Sequence, residues 1–134
     1  MGKVAENRAA TGSVVLEGNK ITGQWMVFND PSELMMAERN GKNVFFREVI
    51  TPDAIDDTML MDLQCCADHR EIEKYLGRTP TSLRVERNDS GYSYECDLLD
   101  SATANEVRQQ VERGDYAGNS FKMYVKADTW ELQA

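Results

Sequence analysis

Two runs of alternating apolar and polar residues, 81–87 and 92–98, stand on either side of the polar tetrapeptide Asn88-Asp89-Ser90-Gly91. A side-chain period of two marks a strand with one buried face, and a short Asn/Asp/Ser/Gly link returns the chain antiparallel. Residues 13–17 and 21–28 repeat the pattern around Gly18-Asn19, with Gly23 marking a bulge or bend in the second strand. Further strands are expected at 44–50, 60–66 and 120–125. Hairpins without βαβ alternation predict an α+β, mainly β fold. Its form would be an antiparallel β-barrel or rolled sheet with peripheral helices.

The remaining segments read as follows. Residues 1–10 are small and polar, a flexible N-terminus ahead of one domain over 11–134. Residues 29–43 read as a surface loop with one helical turn at 32–38, and 70–80 as a charged loop. Thr51-Pro52 reads as the cap and first position of a helix reaching about residue 58, with Asp53, Asp56 and Asp57 near its start. Asp100-Ser101 caps a second helix over 102–113, with a narrow apolar stripe of Ala104, Val107 and Val111 and a stop at Gly114.

Composition narrows the partners. The net charge of −8 disfavours phosphate backbones and anionic membrane surfaces. No run of about 18 apolar residues signals a membrane span, and the start MGKVAENRAATGS has no apolar leader core. Three cysteines, Cys65, Cys66 and Cys96, suit buried reduced thiols better than a disulfide framework. One histidine and no CxxC pair leave no zinc spacing, and no cofactor motif is present. The Asp53, Asp56 and Asp57 group lacks calcium-loop spacing.

Two residues stand out chemically. His69, the single histidine, follows directly on the apolar run 60–66 and a short polar link. Ser120 opens an apolar strand after the small residues Ala117, Gly118 and Asn119, which would let a substrate backbone approach closely. A serine hydroxyl needs a base to take its proton, and neutral imidazole serves near pH 7. Lys122 stands where a nucleophile elbow has its second glycine, and a strand follows, so the α/β-hydrolase arrangement is excluded. Arg108 and Arg113 could either lie on a solvated helix face or support a developing oxyanion. On the residues alone Gly-x-Ser and a lone histidine are common, and each is more often structural than catalytic.

Five segments in order make a more specific pattern: ITGQWMVFN at 21–29, FREVITPDAI at 46–55, Asp68-His69, LGRT at 76–79, and Val107-Arg108 through RGDYAGNSF at 113–121. Their order and spacing resemble the tailed-phage prohead (capsid maturation) serine proteases, a family akin to the herpesvirus assemblins. The resemblance spans roughly residues 20–130. It implies an assemblin-like barrel, Ser120 as nucleophile and His69 as its base, with no cofactor and no metal. The family usually has glycine where Lys122 stands and a more aromatic stretch where Cys65-Cys66-Ala67 stands. Its third catalytic residue lies on a strand beyond the serine strand. Asp128 and Glu131 come too early to match it, so the sequence reads as a shortened version lacking its C-terminal strand or strands.

The resemblance further implies an endopeptidase in the host cytoplasm, inside the assembling prohead. It would cleave the major capsid protein or its scaffold segment, and itself, with a homo-oligomer possible and no nucleic acid or membrane involved. Two other readings stay open: an inactive assembly or scaffolding domain that keeps the protease fold, and a β-barrel hydrolase outside phage assembly.

Overall fold

The computed structural model describes residues 6–10, 14–56, 60–68, 70, 72–116 and 118–123. Five strands come first: β1 (Glu6–Ala10), β2 (Val15–Glu17), β3 (Lys20–Val27), β4 (Met35–Arg39) and β5 (Lys42–Phe46). Then come β6 (Gln64–Cys66), β7 (Tyr75–Arg78), β8 (Leu83–Asn88), β9 (Gly91–Asp97), helix α1 (Ala102–Arg113) and β10 (Asn119–Met123). All pairing is antiparallel. One sheet has four strands in the order β2-β3-β9-β8, and β1-β10, β4-β5 and β6-β7 form two-stranded ribbons.

Among the described residues the fold is therefore mainly β with antiparallel sheets, as expected, and has one helix where two were expected. The expected closed barrel is not found among the described residues. Closure requires every edge strand to be paired, and no described ladder joins β2 or β8 to another sheet.

The central hairpin follows its alternation. Leu83 faces Cys96 across β8 and β9, and both are buried, while the next pair, Arg84 and Glu95, lies on the other face. Asn88 Oδ1 accepts from the Ser90 amide at 3.0 Å and the Ser90 hydroxyl at 2.8 Å, which shapes the turn. Helix α1 covers the same core. Its buried Ala104 and Val107 pack with Ile21, Leu83 and Cys96 of the sheet and with Ala67 and Leu76 from the β6–β7 ribbon. Ser101 Oγ accepts from the Ala104 amide at 3.1 Å, and Gly114, at φ 93°, closes the last turn. Burying a leucine such as Leu83 is worth about 2 kcal/mol against leaving it exposed. A second, smaller core gathers Met26, Phe28 and Tyr92. Trp25, Ile50, Ile55, Leu60 and Phe121 lean against it.

Several local expectations need correction. Residues 29–43 are not a loop with a helical turn. Met35–Arg39 and Lys42–Phe46 pair across Asn40-Gly41, at φ 54° and 77°. Positive φ at both central residues is the tight turn that matches strand twist. The strand expected over 44–50 accordingly ends at Phe46. Residues 51–56 form a turn instead of a helix start: Thr51 Oγ1 bonds the Asp53 carboxylate at 2.6 Å and the Ala54 amide bonds Thr51 O at 3.0 Å. Only Ile55 there reaches a core, so no apolar stripe draws a helix onto the body. The strand expected over 60–66 is only Gln64–Cys66, and the supposed loop 70–80 contains its partner β7. Residues 6–10, read as part of a loose terminus, form β1 and pair with β10.

Candidate active site

Ser120 lies in β10 opposite Ala9 of β1. The residues on either side of it are both anchored. Asn119 Oδ1 accepts from the Tyr94 hydroxyl of β9 at 2.6 Å. Burial pushes the Tyr94 hydroxyl pKa up, so it stays a donor throughout the neutral range. Gly23 of β3 makes the room: a Cβ there would meet Asn119 Nδ2 at 2.8 Å and Tyr94 Cε1 at 3.0 Å. The bulge expected at Gly23 falls instead between Gln24 and Met26, leaving Trp25 as the extra residue. The Trp25 ring then meets Phe121 edge-on at 5.5 Å and Tyr92 at 5.4 Å. Asn119 and Phe121 are thus tied to β9 and β3, which fixes the β10 backbone at position 120.

β1 is held as firmly. Arg8 makes a two-pronged pair with Glu48, Nε to Oε1 at 2.5 Å and Nη2 to Oε2 at 3.0 Å, with both side chains largely buried. A bidentate, sheltered guanidinium–carboxylate pair is among the stronger polar contacts. It ties the partner strand of Ser120 to the segment 47–50.

His69 lies outside the described residues. The described residues on either side of position 69 are held by backbone hydrogen bonds. Ala67 is buried in the main core, its amide bonds Lys74 O at 3.0 Å, and the amides of Arg70 and Lys74 bond Ala67 O and Arg70 O, each at 3.0 Å. Asp68, directly before His69, has φ 56°, a left-handed conformation uncommon outside glycine. Its carboxylate accepts from the Tyr116 hydroxyl at 2.7 Å. That hydrogen bond, helped by Lys74 and Arg70, holds the Asp68 carboxyl below the usual carboxylate range.

A cleft of about 590 Å³ brings these segments to one place. Asp68 and Tyr116 line it, as do Asn119 and Phe121, with Trp25 and Tyr94 on its β-sheet wall. Arg108 and Arg113, considered for oxyanion support, are both engaged: Arg108 bonds Asn105 within the helix, and Arg113 Nε bonds Asp115 at 2.9 Å just past its end. Asp128 and Glu131 lie outside the described residues. Among the described residues no group of three or more His, Cys, Asp or Glu side chains is arranged to hold a metal ion. Cys65, Cys66 and Cys96 are not joined in disulfides. The Cys96 thiol beside partly buried Cys65 pushes the Cys65 thiol well above its ordinary range, which disfavours its thiolate.

Sequence reasoning did not find the supports, namely Gly23 and Tyr94 beneath Asn119 and Tyr116 and Lys74 around Asp68. Tyr94 looked like one more residue of an alternating strand. Tyr116, two residues before Gly118 in the serine motif, was the available signal, since a phenol in a short link usually seeks a partner for its hydroxyl.

No curated protein and no solved structure matches the chain. A family does. The caudovirus prohead serine proteases match it over residues 6–134, which takes in β1, Asp68-His69 and the Ser120 strand. The chain belongs to the caudovirus prohead serine protease family.

Proposed function

We propose that this chain is a serine endopeptidase of capsid maturation, with Ser120 as nucleophile and His69 as its general base. It would cleave scaffold-like segments of the capsid protein, and itself, within the assembling prohead. Membership of a prohead serine protease family along 6–134 carries the reading. The geometry around the two residues supports it. Asn119 and Phe121, which flank Ser120, and Asp68, which precedes His69, line one cleft.

The chemistry balances with these two groups. The Ser120 hydroxyl attacks the scissile carbonyl while the imidazole takes its proton. The tetrahedral intermediate collapses as the imidazolium gives that proton to the leaving amine, forming an acyl-enzyme. Water, deprotonated by the same imidazole, then attacks the acyl carbon, and the acyl group leaves as a carboxylic acid as the imidazolium returns the proton to the Ser120 oxygen. Preorganised donors aimed at the oxyanion add a further factor of about 10² to 10³ in such sites.

Co-expression of the chain with its capsid protein tests the reading. Ser120→Ala is expected to abolish processing, since losing the nucleophile of a serine protease costs about a millionfold in rate. Its melting temperature should stay within a few degrees of the unmodified chain. Undiminished processing by that variant contradicts the assignment.

A further inference from the structure

One polar bridge outside the Ser–His pair lies at the cleft, two of its members, Asp68 and Tyr116, lining it. The Tyr116 hydroxyl donates to Asp68 Oδ2 at 2.7 Å. Lys74 Nζ lies 3.2 Å from the Tyr116 hydroxyl, 3.5 Å from the same Asp68 oxygen, and 5.9 Å from the centre of the Tyr116 ring. The partners are distant in sequence. Asp68 and Lys74 bound the turn after β6, whereas Tyr116 lies between α1 and β10.

Its location makes the bridge more than a surface ion pair. Asp68 directly precedes position 69, and Tyr116 is four residues before Ser120. Asp68 holds a left-handed backbone at φ 56°, which is unfavourable for a non-glycine residue and needs local support. The bridge supplies that support from the segment that leads into β10. Lys74 is four-fifths sheltered, and its amide and carbonyl both close the turn, so the third member is fixed by the backbone. The Asp68 carboxyl is held below the usual range first by Tyr116, and the Lys74 ammonium above its own range by the same hydroxyl. All three groups therefore keep their bonding forms across the neutral range.

We propose that Asp68, Tyr116 and Lys74 form a positioning bridge that sets the spacing between the β6–β7 connection, in which His69 falls by sequence, and the Ser120 strand. The proposal rests on the reading of His69 and Ser120 given above. None of the three touches the reacting atoms. They act by holding the two segments in register, and reaction rates are steeply sensitive to such placement.

Labelling of the folded chain with a fluorophosphonate, followed by intact mass, reads the bridge directly. The maximal labelling rate and the half-saturating probe concentration are measured separately. Tyr116→Phe, which keeps the ring and loses the hydroxyl, should slow the maximal rate about ten- to a hundredfold and leave half-saturation within about twofold. Asp68→Ala should behave the same way. Asp68→Asn, which still offers an oxygen to Tyr116, should recover to within about threefold of the unmodified chain. Unchanged labelling of both Tyr116→Phe and Asp68→Ala overturns the bridge. So does an Asp68→Asn variant as slow as Asp68→Ala, which would assign the effect to the carboxylate charge. Ser120→Ala separates the two levels: its labelling at the unmodified rate, or no labelling of the unmodified chain, would remove the catalytic reading and the bridge with it.

Discussion

Single residues decide how the Ser120 strand is held. Gly23 has nothing to contribute but space, and that space is filled by Asn119 and Tyr94. Gly23→Ala would place a methyl 2.8 Å from Asn119 Nδ2 and force the amide away from Tyr94. Because the nearest atom ends a side chain and is not backbone, the stability cost should be modest, about 1 kcal/mol by urea unfolding. Fluorophosphonate labelling should fall far more than that figure implies. Tyr94→Phe removes the donor without the clash and should cost about 1–2 kcal/mol in the same assay. Equal labelling by both variants and the unmodified chain would show that Asn119 has no part in placing Ser120. Neither effect is legible in the sequence, where Gly23 reads as a bend and Tyr94 as an ordinary strand residue. What each contributes depends on Asn119, which is remote in the chain.

Elements show why some of the fold was legible and some was not. The β8–β9 hairpin and α1 declare themselves locally, one by strict alternation around a polar tip and the other by Ser101 and Gly114 at its ends. Ser101→Ala should cost about 1 kcal/mol, measured by thermal unfolding. β4 hid, and β5 was read two residues late, because no residue of this hairpin is fully buried and some of its apolar side chains face outward, Met36 at 58% and Phe45 at 65%; yet Asn40-Gly41 was the hairpin signal. β7 hid in a charged segment because only Leu76 and Gly77 of its four residues are buried. β1 hid because its partner β10 is more than a hundred residues away.

The exposed face of the four-stranded sheet also carries its own prediction. Arg84 bonds Asp97 at 2.8 and 2.9 Å and Glu95 at 3.2 Å, and Lys20 also pairs with Glu95. Glu95 is held below its ordinary range first by Lys20, and Asp97 first by Arg84. A depressed folded-state pKa contributes stability that is full above the unfolded value, about 4, and lost as pH falls through the folded value. Melting temperature should therefore drop as pH is lowered below about 4. Arg84→Gln should flatten that drop, and an unchanged acid profile in the variant would contradict the linkage.

At the scale of the whole molecule, the hairpin pattern pointed to the mainly β class, and the resemblance of five ordered segments implied the family. Antiparallel hairpins, one capped helix and five ordered motifs agree with a mainly β fold and with the prohead serine protease family. A closed barrel was beyond what local pattern can settle, because closure depends on edge strands finding each other. Among the described residues the edges of the four-stranded sheet stay unjoined. No helix among those residues is long and apolar enough to cross a membrane. The pair itself is the part that spacing could only nominate: Ser120 is placed in β10 through its neighbours, and His69 lies outside the described residues.

The most direct test is therefore chemical. The folded chain, treated with a fluorophosphonate and digested for peptide mass mapping, should carry one adduct, on Ser120. That adduct should be absent from Ser120→Ala and slowed by several orders of magnitude in His69→Ala. A folded chain that takes no adduct, or takes it on another residue, would contradict the assignment and favour an assembly domain that has kept the protease fold.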